Sequence, residues 1–271
     1  EVFQSDVEQL SDHLEGGFKD HQKRAIENIL STQGSLQIIA LPTGFGKTRI
    51  VQATSSILYK NDLGPSLMIS PIIALRDDQR EAFQREFDGN PHMPNKYKLN
   101  SRFITAADTE IINIQDELMS GNIGLLCCSP EQLMTPGWNQ SWMEVFRKME
   151  KPFSTLIIDE AHLVGDWGSS FRSHFLLLGQ LMNRLIELNP SLRVILQSAT
   201  LTKNEKRELK SLFEGPEILE EIAEFDVRKD LHFNVILEKP VLNENNRRTI
   251  EYEKWTKRIT HFYENAPDLW Q

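Results

Sequence analysis

The chain has 271 residues, 39% of them hydrophobic and 25% charged, which suits one large globular domain with a full core and leaves little room for two. Its formal net charge of −9 argues by itself against nucleic acid as a partner. Because no apolar run approaches the roughly 18 to 20 residues of a membrane span, we expect no membrane association.

Short apolar runs alternate with helical patterns as far as about residue 235. Strands are predicted at 36–41, 66–70, 102–105, 123–129, 156–158 and 192–197. Helices are predicted at 21–31, 47–60, 74–87, 109–120, 142–149, 175–188 and 204–213, and a polar loop at 91–100. This alternation predicts an α/β fold, with a parallel sheet covered by helices on both faces. The pattern then weakens into a linker-like stretch, so we expect one domain at 1–235 and a separate segment at 236–271.

A glycine-containing segment joins the first strand to the helix at 47–60 and reads Thr43-Gly44-Phe45-Gly46-Lys47-Thr48. Glycines at a strand-to-helix turn let the backbone approach phosphates, whose charge is stabilised by free N–H groups at the helix N-terminus. Lys47 would then reach the β- and γ-phosphates of a nucleotide, and the Thr48 hydroxyl would bind Mg²⁺. Leu41 stands where the strict phosphate-loop pattern begins with Gly, so an ordinary glycine-rich turn is the alternative.

Two acids, Asp159 and Glu160, directly follow the apolar run at 153–158. Acids at the carboxyl end of a parallel strand point into the ligand crevice of an α/β sheet. Asp159 would bind Mg²⁺ through water, and Glu160 would orient and deprotonate the water that attacks the γ-phosphate. The alternative is a pair of solvated acids that begin a helix, where the helix dipole favours them.

The two cysteines are neighbours, Cys127 and Cys128, within a predicted strand. Neighbouring strand residues point to opposite faces, so we expect two buried, small apolar side chains rather than a disulfide or a metal site. Reduced cysteines are consistent with a cytoplasmic location, or a nuclear one in a eukaryote.

Taken in order, segments along nearly the whole chain resemble superfamily 2 helicases, whose core is a RecA-like P-loop NTPase domain. The segment at 18–22 is similar to the motif in which a glutamine, here Gln22, reads the adenine edge, and 41–48 matches the helicase form of motif I, which does not need the first Gly. Asp159-Glu160-Ala161-His162 resembles motif II, and the segment at 197–200 resembles motif III. The resemblance implies ATP and Mg²⁺ as cofactors. It also implies that four residues couple hydrolysis to strand movement, namely His162, Gln197, Ser198 and Thr200.

Two further segments, at 70–79 and 129–133, resemble motifs Ia and Ib, which line the nucleic-acid path in this superfamily. The resemblance therefore assigns nucleic-acid contacts to Ser70, Pro71, Ser129 and Pro130.

The segment at 163–172 is similar to the aromatic-rich loop of RecQ enzymes, which senses single-stranded DNA. Trp167 and Phe171 offer stacking surfaces worth about 1 to 3 kcal/mol per base, and Arg172 could pair with a phosphate or stack. The alternative is that both aromatic rings pack in the core. Asp166, Ser169 and Ser170 depart from the Gln, His and Asp that are usual in that family, so the coupling to DNA is expected to differ.

The resemblance as a whole implies an ATP-dependent DNA helicase or translocase of the RecQ-like DEAH-box group that acts on single-stranded or partly duplex DNA. Two alternatives stay open: a DEAH-type RNA helicase, and a nucleotide-binding interaction module without unwinding activity. The negative net charge does not exclude a motor that binds phosphates through backbone N–H groups and a few positively charged side chains at particular positions. We expect the chain to lack a second RecA-like domain with its arginine finger, the segment at 236–271 to be a linker and the start of that domain, and the fragment to be weakly active alone.

Overall fold

The computed structural model describes residues 3–42, 44–70, 80–81, 83–104, 111–129, 132, 138–162, 172–199, 207, 218–223, 241–242 and 248–249. For 138–140, for 172–177 and from 218 onward the description is limited to the backbone. The chain divides into two compact units, 1–226 and 227–271. In the second unit, the strands β8 (Val241–Leu242) and β9 (Arg248–Thr249) pair antiparallel. The predicted domain boundary after residue 235 stays a prediction.

The first unit alternates strands with helices. Its helices are α1 (Gln4–Asp12), α2 (Asp20–Ser31), α3 (Lys47–Lys60), α4 (Ile111–Met119), α5 (Trp138–Lys148) and α6 (Arg172–Leu188). Its strands are β1 (Leu36–Ala40), β2 (Ser66–Ile69), β3 (Arg102–Phe103), β4 (Leu125–Cys128), β5 (Thr155–Ile158), β6 (Arg193–Ser198) and β7 (Ile218–Ala223). A π-helical turn lies at Gln84–Asp88 and a 3₁₀ turn at Asn95–Tyr97.

Seven strands form one sheet in the order β3-β4-β2-β5-β6-β1-β7, and every pairing is parallel. The α/β prediction is therefore confirmed. Strands β1, β2, β4, β5 and β6 are buried along their whole length, as expected for a parallel sheet with helices on both faces.

Strand alternation sends the apolar side chains into two separate cores. Ile39, Ile157 and Ile195 pack on one face with the apolar residues of α1, α2 and α3, whereas the residues that precede them on their strands pack on the other face with α4, α5 and α6. Cys127 belongs to the first core and Cys128 to the second, and both are buried. The prediction of two buried cysteines on opposite faces is confirmed.

Some predicted elements differ from the structure. Helix α1 and strand β7 were not predicted, and helices α5 and α6 begin earlier than the predicted 142 and 175. The predicted helix at 74–87 ends in the π-helical turn, and half of it lies outside the described residues, as does nearly all of the predicted helix at 204–213. No helix in the described part of the chain combines the length and apolarity needed to cross a membrane.

Candidate nucleotide site at the carboxyl edge of the sheet

The candidate site forms where several parallel strands end together. Strand β5 lies between β2 and β6 with Ile158 level with Ile69 and Leu196, and Ala40 at the end of β1 is level with Ser198. The residues that follow these strands therefore meet at one edge of the sheet. In open α/β sheets this carboxyl edge is where ligands bind.

The glycine segment runs from the end of β1 to the start of α3. Gly46 precedes the helix with φ 79°, in the left-handed region that favours glycine. A Cβ on Gly46 would come within 2.1 Å of Gln22 Nε2, so a side chain there would also require the Gln22 amide to move. Lys47 and Thr48 are the first two residues of α3, where backbone N–H groups have no acceptor within the helix. This arrangement is typical of a phosphate-binding loop. Thr43 lies outside the described residues.

Asp159 is buried at the end of β5 and holds hydrogen bonds from two neighbouring strands. Gln197 Nε2 donates to Asp159 Oδ1 at 2.7 Å, and Ser70 Oγ lies 3.5 Å from Asp159 Oδ2. The backbone of Asp159 donates to the carbonyl of Ile69. The carboxylate is thereby fixed toward the same edge as the glycine segment.

Glu160 has φ 48°, a left-handed conformation that is uncommon for a residue with a side chain. Its Oε2 lies 3.2 Å from His162 Nδ1, and that nitrogen lies 2.8 Å from Ser198 Oγ. A protonated Nδ1 can therefore donate to the carboxylate. His162 links the acid after β5 to the end of β6.

The charges of Lys47, Asp159 and Glu160 influence one another. Burial lowers the pKa of Lys47, and the charges of Glu160 and Asp159 oppose that shift. Burial and the charge of Asp159 raise the pKa of Glu160, whereas Lys47 and His162 oppose the rise. The lysine of the glycine segment and the two acids after β5 therefore influence one another's pKa values.

Gln22, predicted to read adenine, uses both ends of its amide within the protein. Its Nε2 donates to the carbonyl of Phe45 at 3.1 Å, and its Oε1 accepts from the backbone N–H of Lys19 at 2.9 Å. His21 Nε2 also donates to the Phe45 carbonyl, at 3.0 Å. The sequence patterns did not single out Phe45, because a carbonyl acceptor leaves no mark in the residue type. Its contacts hold α2 against the glycine segment.

The groups at this edge suit Mg²⁺, which binds few carboxylates and keeps several waters. Asp159 offers a carboxylate and Thr48 a hydroxyl. Gln197 Oε1 is a buried acceptor with no hydrogen-bond partner among the described residues. An orphaned buried acceptor fits a site that a bound donor completes. In the described part of the chain, no three His, Cys, Asp or Glu side chains cluster as a metal site by themselves. Mg²⁺ is commonly bound by one or two carboxylates together with the phosphates of a substrate.

The other predicted residues are only partly described. Ser70 and Ser129 are both buried at the carboxyl edge, and the backbone N–H of Ser129 donates to Gln132 Oε1 at 2.9 Å. Arg172 begins α6, and its side chain is not described. Besides Thr43, five predicted residues lie outside the described residues: Pro71, Pro130, Trp167, Phe171 and Thr200. The roles assigned to all these residues stay predictions.

Comparison with known proteins agrees with this arrangement. Residues 19–208 match the DEAD/DEAH box helicase family. Among curated relatives, a probable ATP-dependent DNA helicase RecS of Bacillus subtilis is 31% identical over 73% of this chain, and ATP-dependent DNA helicase hus2/rqh1 of Schizosaccharomyces pombe is 30% identical over 81% of it. The matched regions make up 34% and 16% of those two proteins, so this chain spans about a third or less of their length.

Solved structures show the same fold at low sequence identity. The Pyrococcus furiosus Hef helicase domain superposes with a TM-score of 0.53 and 19% identity, covering 76% of this chain and 38% of that one. The DUF1998 helicase MrfA also gives a TM-score of 0.53 and 19% identity, with 71% of this chain and 29% of that chain covered. The parallel sheet and its helices are thus those of helicase RecA-like domains.

Proposed function

Because the chain belongs to the DEAD/DEAH box helicase family, we propose that it is an ATP-binding motor domain that hydrolyses ATP with Mg²⁺ and acts on DNA. One observation carries this proposal: Lys47 at the start of α3 and the acids Asp159 and Glu160 after β5 share the carboxyl edge and interact electrostatically. That combination supplies phosphate binding, metal binding and a base within one crevice.

Each residue of the site has a distinct task in the proposed reaction. Lys47 places its charge on the β- and γ-phosphates, and Thr48 and Asp159 hold Mg²⁺, which neutralises charge on the phosphates when bound. Glu160 orients the attacking water and accepts its proton. Its burial favours this task, because a raised pKa makes the carboxylate a stronger base.

The coupling of hydrolysis to strand movement would run from Glu160 through His162 to Ser198. A change of charge at the Glu160 carboxylate alters the hydrogen bond that His162 donates to it. Because His162 Nδ1 also contacts Ser198 Oγ, such a change reaches β6 directly.

We assign DNA as the nucleic acid because the curated relatives are named DNA helicases and because residues 163–172 resemble the aromatic-rich loop of RecQ enzymes.

Adenine recognition by Gln22 is compatible with the contacts that its amide makes within the protein. Nε2 uses one of its two hydrogens on the Phe45 carbonyl, and Oε1 uses one of its two lone pairs on the backbone N–H of Lys19. One hydrogen and one lone pair are left for a base edge, and Gln22 would thereby connect the adenine to the loop that follows β1.

The test is ATP turnover of the whole protein with no nucleic acid, with single-stranded DNA and with single-stranded RNA of the same sequence. We expect turnover that requires Mg²⁺ and is stimulated more by DNA than by RNA. Stronger stimulation by RNA would favour the DEAH-type RNA helicase. Nucleotide binding without turnover under any of these conditions would favour the interaction module instead.

A further inference from the structure

Gln197 is a polar residue in an otherwise apolar part of strand β6. It follows Val194, Ile195 and Leu196, and only 1% of its surface is exposed. Strand alternation places Gln197 on the same face of the sheet as Ile195, toward α2 and α3. Asp159, which directly follows the neighbouring strand β5, lies on the same face. A glutamine buried at this point must satisfy its amide, because an unmade hydrogen bond of a buried polar group costs about 1 to 3 kcal/mol.

The donor end of the Gln197 amide donates a hydrogen bond to the carboxylate assigned to Mg²⁺. Its Nε2 lies 2.7 Å from Asp159 Oδ1, which is short for such a bond and typical of a charged acceptor. Ser70 Oγ lies 3.5 Å from the other oxygen, at the outer limit of a hydrogen bond. Of these two side-chain donors, Gln197 therefore determines the orientation of the carboxylate.

The acceptor end of the same amide is buried and has no hydrogen-bond partner among the described residues. It can therefore accept a hydrogen bond from a donor that comes with a ligand. A water molecule bound to Mg²⁺ is such a donor, because its lone pair is directed at the metal and its hydrogens point outward. Mg²⁺ keeps several such waters when it binds through one or two carboxylates.

We propose that Gln197 is a positioning residue for the metal, which aligns Asp159 through Nε2 and accepts a hydrogen bond from a magnesium-bound water through Oε1. This inference rests on the proposed function, because it concerns the Mg²⁺ that accompanies ATP. Groups that hold metal ligands and metal-bound waters in this way typically contribute about 10- to 100-fold to metal affinity.

The chain offers a matched control in Gln37. It lies on the neighbouring strand β1, two residues before Ile39, which is level with Gln197. Gln37 is 2% exposed, and its Oε1 also has no hydrogen-bond partner among the described residues. Its Nε2, however, donates to Thr32 and to the carbonyl of Asn28 rather than to Asp159. Burial, residue type and the unpartnered Oε1 are thus matched, whereas the partners of Nε2 differ and those of Gln37 do not include Asp159.

The experiment titrates Mg²⁺ into the full chain saturated with a fluorescent ADP analogue and compares wild type, Gln197→Met and Gln37→Met. The affinity for the analogue in EDTA is measured separately, and Mn²⁺ binding followed by electron paramagnetic resonance gives a second metal readout.

We expect Gln197→Met to weaken metal affinity about 10- to 100-fold, with nucleotide affinity in EDTA unchanged. Gln37→Met should bind both metals as wild type does. Gln197→Asn, which retains the amide but is one methylene shorter, should weaken metal binding too and replaces the methionine variant if that variant does not fold.

The outcomes separate this inference from the proposed function. Wild-type metal affinity in a folded Gln197 variant overturns the inference alone, as does an equal loss in Gln37→Met, which would indicate a general effect of a buried glutamine. A loss of stability in Gln197→Met with unchanged metal affinity also overturns it, because the amide would then be completed by a structural water. If the wild-type chain shows no metal-dependent nucleotide binding, the proposed function fails, and the inference fails with it.

Discussion

Lys47 Nζ donates a hydrogen bond to the carbonyl oxygen of Leu41, 2.8 Å away across the glycine segment. Leu41 is itself tied to the sheet, because its N–H donates to the carbonyl of Ser198. The lysine is thus held at the edge of β1, and its ammonium group keeps two further hydrogens with which it can engage phosphates.

Replacing Lys47 with alanine should abolish ATP binding or turnover, because the substitution removes the point charge that contacts the phosphates. Nucleotide affinity and turnover are the measurements. Lys148→Ala is the control, since that lysine is exposed on α5 and pairs with Glu144 one turn away. Undiminished hydrolysis by Lys47→Ala would show that the glycine segment is not part of the nucleotide site.

Glu160→Gln should separate binding from chemistry. The amide keeps the size of the side chain but cannot accept the proton of the attacking water. In a longer protein that carries the second RecA-like domain, turnover should therefore fall by about 10² to 10⁴ while nucleotide still binds. The matched change Glu144→Gln, at an exposed position on α5, should alter neither quantity. A collapse of nucleotide affinity in Glu160→Gln would show instead that the carboxylate has a structural role.

Arg193 should stabilise the fold from within the sheet. Its buried guanidinium donates to the carbonyls of Ile29 and Leu30, at 2.9 and 3.2 Å, near the C-terminus of α2. Burial lowers its pKa, but arginine stays charged and is favoured at the negative end of the helix dipole. Arg193→Met should leave both carbonyls without this partner and lower the free energy of unfolding by about 1 to 3 kcal/mol.

Urea unfolding of the whole chain measures this effect. The control is Arg102→Met, because Arg102 pairs with Glu117 at a partly exposed position and should contribute less than about 1 kcal/mol. Equal unfolding midpoints for Arg193→Met and wild type would show that the cost of burying the charge cancels the two hydrogen bonds.

The parts of the site that could be predicted from the sequence are those with local signals. The apolar run of β1 followed by Gly44, Gly46 and Lys47 predicts a strand, a turn and a helix within a dozen residues. Asp159 and Glu160 after β5 give a signal of the same kind. Parallel topology then brings both segments to one edge, so their proximity also follows from the alternation of strands and helices.

The contacts between segments could not be predicted in this way. The hydrogen bond from Gln197 to Asp159 depends on the register of β6 against β5, and the one from Gln22 to Phe45 joins residues 23 apart. Helix α1 was missed because it is mostly polar and its two buried apolar residues are Val7 and Leu10. Strand β7 at the sheet edge was missed because adjacent acids at 220–221 interrupt its apolar pattern.

Asp6 should make stability depend on pH in the acidic range. Burial alone would raise its pKa, but hydrogen bonds from Lys60, Asn61 and Tyr97, together with the charge of Lys60, outweigh burial and lower it. A lowered pKa in the folded state contributes stability that is present above the unfolded value of about 3.9 and is lost as pH falls through the folded value. Burial, with the charge and hydrogen bond of Asp6, raises the pKa of Tyr97 to about 12, so its hydroxyl remains a donor across this range.

Asp6→Asn should therefore be less stable than wild type at neutral pH, by about 1 to 3 kcal/mol, and the gap should narrow below about pH 4. Urea midpoints at a series of pH values test this expectation. Asp62→Asn serves as the control, because Asp62 is largely exposed and pairs with Lys151 at the surface. A gap that stays constant down to acidic pH would mean that the loss comes from packing rather than from the carboxylate charge.

The last prediction concerns a second domain. This chain spans about a third or less of the length of the two curated relatives compared above, and we propose that a second RecA-like domain supplies an arginine to the ATP site. Such an arginine is worth about 10³ to 10⁵ in rate, so the 271-residue chain should hydrolyse ATP barely above background.

Its net charge of −9 and the surface of a single domain should make binding to single-stranded DNA weak and steeply dependent on salt. A longer protein that carries the second domain should gain both turnover and DNA affinity.

In that protein, Trp167→Ala should lower the ratio of DNA-stimulated to DNA-free turnover, because a stacking surface worth about 1 to 3 kcal/mol per base is removed. Turnover, DNA binding at several salt concentrations and duplex unwinding are measured side by side for the two lengths. Unwinding by the 271-residue chain as fast as by the longer protein would show that one RecA-like domain is sufficient, since no arginine from a second domain would then be needed at the ATP site.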